Sequence, residues 1–437
     1  MFLWKLLRTA LGTVAAALVA MTAQADPLTT PAQPWLTGDW GGFRTRLFER
    51  GIDIQLSYVS EVGYNAGGGV RNIAAYTDQV AAGITFNLER LFGLHDALFQ
   101  VTYTERAGRN LVDDAGLGTL QLVQEVYGRG QTVRLTEMSF EQGYFDNRLS
   151  WKLGRLPVGG DFASFSCHFQ NLTFCGSPPG NLVGSYIFNW PISQWGTRLK
   201  AKLDGFGYVQ AGVYDQNEQY LGFADKLWPV WYSGSTGALV PVEIAWLPAF
   251  ENGRLPGSYK IGGWYSSSSA NDAVLDINGG LASLSGLPLV KRKGLYGAYL
   301  TFEQQLTRNA SENPNGGLRL FFNAVFADAA TSTTDRQLAV GAWYTGPFSS
   351  RPNDVIAFAA GTTHVNSRVV DAAILQNALG LGPVSEKSAE YVLELDYTFV
   401  PVPGFILRPN VQYITSPGAS STTKDVWVLG LKTIVNF

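Results

Sequence analysis

The last thirteen residues, "DVWVLGLKTIVNF", alternate along their whole length. Trp427, Leu429, Leu431, Thr433, Val435 and Phe437 fall on one face, mostly apolar with an aromatic at each end. Val426, Val428, Gly430, Lys432, Ile434 and Asn436 fall on the other, which carries the charge and the amide. Successive side chains of a strand point to opposite faces, so a period of two predicts a strand between two different environments. The stretch before it, "GFILRPNVQYITSPG", repeats the pattern. Phe405, Leu407, Pro409, Val411 and Tyr413 lie on one face, and Arg408, Asn410 and Gln412 on the other. "AEYVLELDYTFV" does the same, with Glu394 and Asp396 on its polar face. Each segment has about the length that crosses a bilayer at a tilt, and the aromatic ends match interfacial girdles.

A soluble sandwich or propeller would also alternate, with its polar faces in water. Composition separates the readings. Charged residues make up 15% of the chain, against roughly 25% in soluble domains. Aromatic residues reach 13% and glycine numbers 49. Past the N-terminus no apolar run is long enough for a membrane helix. The net charge of −3 and the lack of a basic stripe exclude nucleic acid as a partner. The start of the chain reads as a secretory signal. Lys5 and Arg8 precede the apolar run Leu11 to Met21, and Ala23-Gln24-Ala25 gives a small-x-small cleavage pattern before Asp26.

The expected fold is therefore all-β: a transmembrane antiparallel β-barrel of about sixteen strands, with short periplasmic turns and long extracellular loops. The strands are predicted to begin near Ile52, Gln79, Ala97, Thr132, Leu149, Thr197, Tyr208, Ala238, Tyr259, Leu295, Leu318, Gln337, Asp354, Tyr391, Phe405 and Asp425. Short connections such as "FDNR", "DGFG" and "FSSRPN" alternate with long ones. The long ones are Ala107 to Gln131, Asp161 to Gly196, Asp215 to Gly237, Ser268 to Gly294 and Ser367 to Ala389. The domain organisation is a signal peptide over 1–25, an N-terminal periplasmic segment over 26–51 and the barrel over 52–437. The N-terminal segment is too short for a folded plug, which favours a channel over a gated transporter.

The segment "LTGDWGGFRTRLFERGID" carries Gly38-Asp39-Trp40-Gly41-Gly42 ahead of the first strand. With "FQNLTFCG" and "RPNVQYITSPG" before a last strand ending on phenylalanine, it resembles the carbohydrate-selective porins of the OprB type. The resemblance runs over essentially the whole mature chain. It implies a sixteen-stranded barrel with a narrow eyelet that passes glucose and related sugars. It implies monosaccharides as partners, within outer-membrane lipid and lipopolysaccharide, and no cofactor.

Selectivity in a pore comes from what lines its constriction. Parity along the strands gives lining candidates of both signs. Arg106, Lys152, Lys200 and Arg408 are basic, and Glu137, Glu141, Glu243 and Glu303 are acidic. Arg155 follows a glycine and could share the same belt. Trp264 and Trp343 have inward parity and could stack on sugar C–H faces. A near balance of signs suits a neutral, polyhydroxylated solute better than phosphate or a cation. For any one of these charges, a place in an ion-pair network bracing the wall is the commoner role. A general small-solute porin is the alternative function. A hydrolase is disfavoured, because His95, His168 and His364 lie in no nucleophile motif. The small-residue stretches "VAAGITF" and "VIAFAAG" are where a second copy would pack if the barrel forms a homotrimer.

The two cysteines, Cys167 and Cys175, flank His168 in "SFSCHFQNLTFCG". In an exported chain a disulfide is the expected state. Two cysteines and one histidine fall short of a zinc site, so no metal is expected. The loop that holds them is the longest and the best placed to fold into the lumen.

Overall fold

The computed structural model describes residues 35–222, 233–309 and 313–437. The signal peptide over 1–25 and the start of the N-terminal segment lie outside the described residues. Sixteen strands close into one barrel, each pairing with its sequence neighbours and the first with the last. They are β1 (Ile52–Gly67), β2 (Ala74–Asn87), β3 (Ala97–Gly108), β4 (Val133–Tyr144), β5 (Leu149–Leu156), β6 (Gln194–Leu203), β7 (Gly207–Gln216) and β8 (Gly237–Trp246). The second half is β9 (Leu255–Asp276), β10 (Leu289–Gln305), β11 (Gly317–Ala327), β12 (Thr334–Thr345), β13 (Val355–Val365), β14 (Ala389–Val402), β15 (Phe405–Thr415) and β16 (Val426–Asn436).

The alternation read from sequence is the in–out alternation of the wall. On β8, Val240, Val242 and Ile244 are exposed, while Leu239, Glu243 and Ala245 are buried. Closure leaves no unpaired edge, so every spanning strand satisfies its backbone within the wall. At the periplasmic end of β8 to β11, Trp246 packs on Tyr259, Tyr259 on Phe302 and Phe302 on Phe322. These rings are one arc of the girdle expected at a membrane interface.

Most strands start within two residues of the sequence expectation; β6, β9 and β12 begin three or four residues early, at Gln194, Leu255 and Thr334 rather than Thr197, Tyr259 and Gln337, and three boundaries differ more. β2 begins at Ala74 rather than Gln79, and β10 at Leu289 rather than Leu295. β9 runs on to Asp276, so much of the span Ser268 to Gly294 is paired hairpin. "SSSSAND" shows no alternation because the hairpin there has left the apolar slab, and its outer face no longer needs apolar side chains. The span predicted as loop from Ser367 begins with a helix, α2 (Ser367–Ala378).

The N-terminal segment covers the seam where β1 meets β16. Gly38, Trp40, Gly41 and Gly42 all have positive φ, a tight turn that glycine makes cheap. Helix α1 (Phe43–Glu49) follows directly. Asp39 Oδ1 accepts from the Thr45 amide and hydroxyl at 2.8 and 3.0 Å. The turn sets Trp40 on one side of Arg44, with Trp35 also against it, at 4.1 and 3.9 Å. Arg44 Nη2 donates to the Phe437 oxygen at 2.6 Å. The Leu36 amide donates to Asn436 and the Phe437 amide to Leu56.

Candidate functional site

The loop between β5 and β6 does not stay on the rim. It enters the barrel and runs along the inner wall, and charged groups of β8 to β10 and of β14 to β16 hold its backbone. On β8, Glu243 accepts from the Ala163 amide at 2.8 Å. Lys260 of β9 donates to the Ser164 carbonyl at 2.6 Å. Glu303 of β10 accepts from the Ser166 amide and hydroxyl at 3.1 and 3.2 Å. Arg408 of β15 donates to the His168 carbonyl, and Lys432 of β16 donates to the Phe169 carbonyl at 3.2 Å. Glu394 of β14 accepts from two consecutive amides, Gln170 and Asn171, at 2.8 and 2.9 Å. Carboxylates meet N–H groups and cations meet carbonyls throughout. A backbone taken into a lumen must satisfy its polar groups, and the wall supplies the partners.

Apolar packing completes the docking. Phe165 and Phe169 meet Phe321 of β11, and Phe169 packs on Phe174. His168 stacks on Trp343 of β12, with ring centroids 4.5 Å apart. The disulfide Cys167–Cys175 closes the tip of the loop, with Cα atoms 4.4 Å apart. The tip approaches β13, where a side chain at Gly361 would meet Thr173 and Phe174.

A second inner segment, 109–131, lies against β1, β2 and the tip. Its Glu125 accepts from Lys432 at 2.8 Å, and Lys432 also meets Glu61 of β1 at 3.1 Å. Cys167 Sγ lies 3.7 Å from the same ammonium. Lys432 therefore ties β16, β1 and both inner segments together. Burial disfavours charge on Glu125, but Lys432 and Arg106 outweigh it and hold the carboxyl below its usual range. Asp161, inside the first loop, is held low in the same way by Lys152, Arg198 and Lys200 against its burial. Burial, with Arg408, Arg319 and Lys432 nearby, pushes the His168 imidazole well below its ordinary value. That ring is neutral, and its Nδ1 has no hydrogen-bond partner among the described residues.

A family profile described as "Carbohydrate-selective porin, OprB family" matches residues 71–437. The chain belongs to this family. It is an outer-membrane porin for carbohydrates, a channel and not an enzyme. The porin is 39% identical to Porin B of Pseudomonas aeruginosa, over 97% of this chain and 95% of that protein. It is 34% identical to the putative porin QuiX of Acinetobacter baylyi, over 98% of this chain and 99% of that protein. The high-pH structure of Pseudomonas putida OprB superposes with a TM-score of 0.87 at 41% identity, covering 93% of this chain and 99% of that one.

The lining candidates of the porin fall into three groups. Glu243, Glu303, Arg408 and Trp343 are on the strip that holds the inner loop. Lys152, Glu137 and Glu141 form a cluster around β4 to β6 that meets the start of the inner loop at Asp161. There Lys152 meets Glu137 at 2.7 Å and Arg198 meets Glu141 at 2.9 Å. Lys200 lies over the Tyr208 ring of β7, 4.6 Å from its centroid. The third group is engaged nearer the outer ends of the strands. Arg155 donates to the Ser193 carbonyl at 2.8 Å and lies over Tyr220. Arg106 bonds Gln79 and the Gly128 carbonyl, and Trp264 donates to the Tyr186 hydroxyl at 3.1 Å. Glu125 and Asp161 were missed by parity because loops have no period. Arg44 was hidden inside the motif that flanks it.

Proposed function

We propose that this porin passes glucose and related small neutral sugars passively, beside lumenal groups whose charges are neutralised in pairs. The observation that carries this reading is the pairing itself. Lys152 with Glu137, Arg198 with Glu141, and Lys432 with Glu61 and Glu125 leave little net field of either sign. Most of these side chains are buried, and the members of the network that reach the lumen offer donors and acceptors that can replace a sugar's water. The groups that keep partial exposure are the ones a solute would meet. Side-chain exposure is 24% for Glu141, 17% for Glu125 and 13% for Arg319. Lys200 over Tyr208 adds a cation and an aromatic face. Binding at such a site must be weak enough to release the solute down its gradient.

The test is single-channel recording in planar bilayers. Adding glucose should lower the ionic current through the open channel. Glu141→Gln should move the reversal potential toward anion preference, because it removes one of the two negative charges beside Arg198. An unblocked current with unchanged ion selectivity would leave a general small-solute porin.

A further inference from the structure

The β9–β10 hairpin is longer than a membrane crossing needs. β9 has 22 residues and β10 has 17, whereas about ten cross a bilayer at a tilt. Tyr265 and Tyr296 stand opposite one another and are both more than half exposed. They lie six residues beyond the periplasmic ring at Tyr259, inside the apolar band, and Ser269 lies ten residues beyond it, at the far end of one crossing.

Just above them the hairpin changes register, between Lys293 and Leu295. Gly294 at this step has a φ of +83°. Leu295 is buried and pairs with the buried Ser266, so it faces inward. Continued alternation would also have turned Lys293 and Lys291 inward. The bulge reverses the parity. Lys293 pairs with Ser269 and Lys291 with Asn271, and all four are exposed. Arg292 between them faces the other way, and its Nε meets the buried Asp272 at 2.9 Å. Arg368 of α2 meets the second oxygen of that carboxylate at 2.8 Å. Of three consecutive cations, the inward one is neutralised and the two outward ones have no acidic partner among the described residues. The outward Arg336 on β12, by contrast, is matched by Asp335 at 3.8 Å.

We propose that Lys291 and Lys293, flanked by Ser269 and Asn271, form a docking site for the phosphate groups of lipopolysaccharide in the outer leaflet. The position follows from the membrane. Lys293, opposite Ser269, stands ten residues beyond the periplasmic ring at Tyr259, so the two ammonium groups lie at the outer interface, where the phosphates of that lipid lie above its acyl chains. The chemistry follows from charge: two unpaired cations on alternate residues of one strand face are about 7 Å apart, a spacing that lets both approach one phosphorylated sugar headgroup. Ser269 and Asn271 add groups for its hydroxyls. The tyrosines below present apolar bodies to the chains and hydroxyls toward the headgroup.

The test uses the full-length porin in a neutral detergent, titrated with deep-rough lipopolysaccharide and read by native mass spectrometry. Lys291→Ala with Lys293→Ala should lower bound lipid several-fold. Heat-modifiable gel mobility and sugar flux should stay those of the parent. Lys291→Arg with Lys293→Arg should keep most of the binding. Dephosphorylated lipopolysaccharide should bind the parent no better than it binds the double alanine variant. Unchanged loading in the alanine variant overturns the site. So does equal binding of the dephosphorylated lipid, or an equal loss from Lys424→Ala, an exposed cation in the loop before β16.

Discussion

Glu394 satisfies two consecutive backbone amides of the inner loop from one carboxylate. Glu394→Ala strands both in a buried setting, at about 1–3 kcal/mol for each unsatisfied group. The loop tip should loosen, and single-channel currents should become noisier while the wall stays folded. Quiet currents in that variant would mean the loop is held elsewhere. His168 gives a second expectation at this scale. Its imidazole is held neutral in the docked loop, below the value near 6.5 that it would have when released. A released loop then binds more protons than a docked one as pH falls below about 6.5, so acid favours release. Currents should be steady at pH 7 and grow noisy toward pH 5. His168→Phe, which keeps a ring against Trp343, should flatten that response. An identical acid response in His168→Phe would place the sensor elsewhere. Strand parity identifies Glu243, Glu303, Glu394 and Arg408 as inward from sequence alone. Their partners are loop amides and carbonyls, and a loop backbone leaves no periodic trace, so the stitching itself was not legible.

The inner loop is the element that narrows the lumen, and the disulfide closes its tip. The bridge spans a sequence separation of 8, which in the chain-entropy account is worth about 2–3 kcal/mol. The double variant Cys167→Ser with Cys175→Ser should keep the heat-modifiable mobility of a closed barrel. Its channel should show larger or more variable conductance, because Phe169, Phe174 and His168 lose the ring that fixes them. Currents equal to those of the parent would show that wall contacts alone set the loop. Sixteen strands, and the descent of this loop into the lumen, were legible from period two and from loop length. Strand ends were not legible where the hairpin leaves the membrane, as in "SSSSAND", because both faces there can be polar. The Gly294 bulge was equally hidden, and it reverses which lysines face out.

Across the whole molecule, closure rests on the pairing of the first strand with the last. The N-terminal turn reinforces that seam through Arg44, held by Trp35 and Trp40 and donating to Phe437. Arg44→Ala removes two cation–π contacts of about 0.5–2 kcal/mol each and one hydrogen bond. The thermal transition should fall by several degrees with little change in sugar flux; an unchanged transition would make the turn a passive tail. The Gly-Asp-Trp-Gly-Gly motif was visible in the sequence as a signature, and its task became clear only when the two chain ends met. The central claim is that a lumen of paired charges selects neutral sugars. Swelling of porin-loaded liposomes measures that most directly. Glucose should enter faster than amino acids of similar size and faster than ions of either sign. Equal rates for sugars and amino acids would contradict the claim.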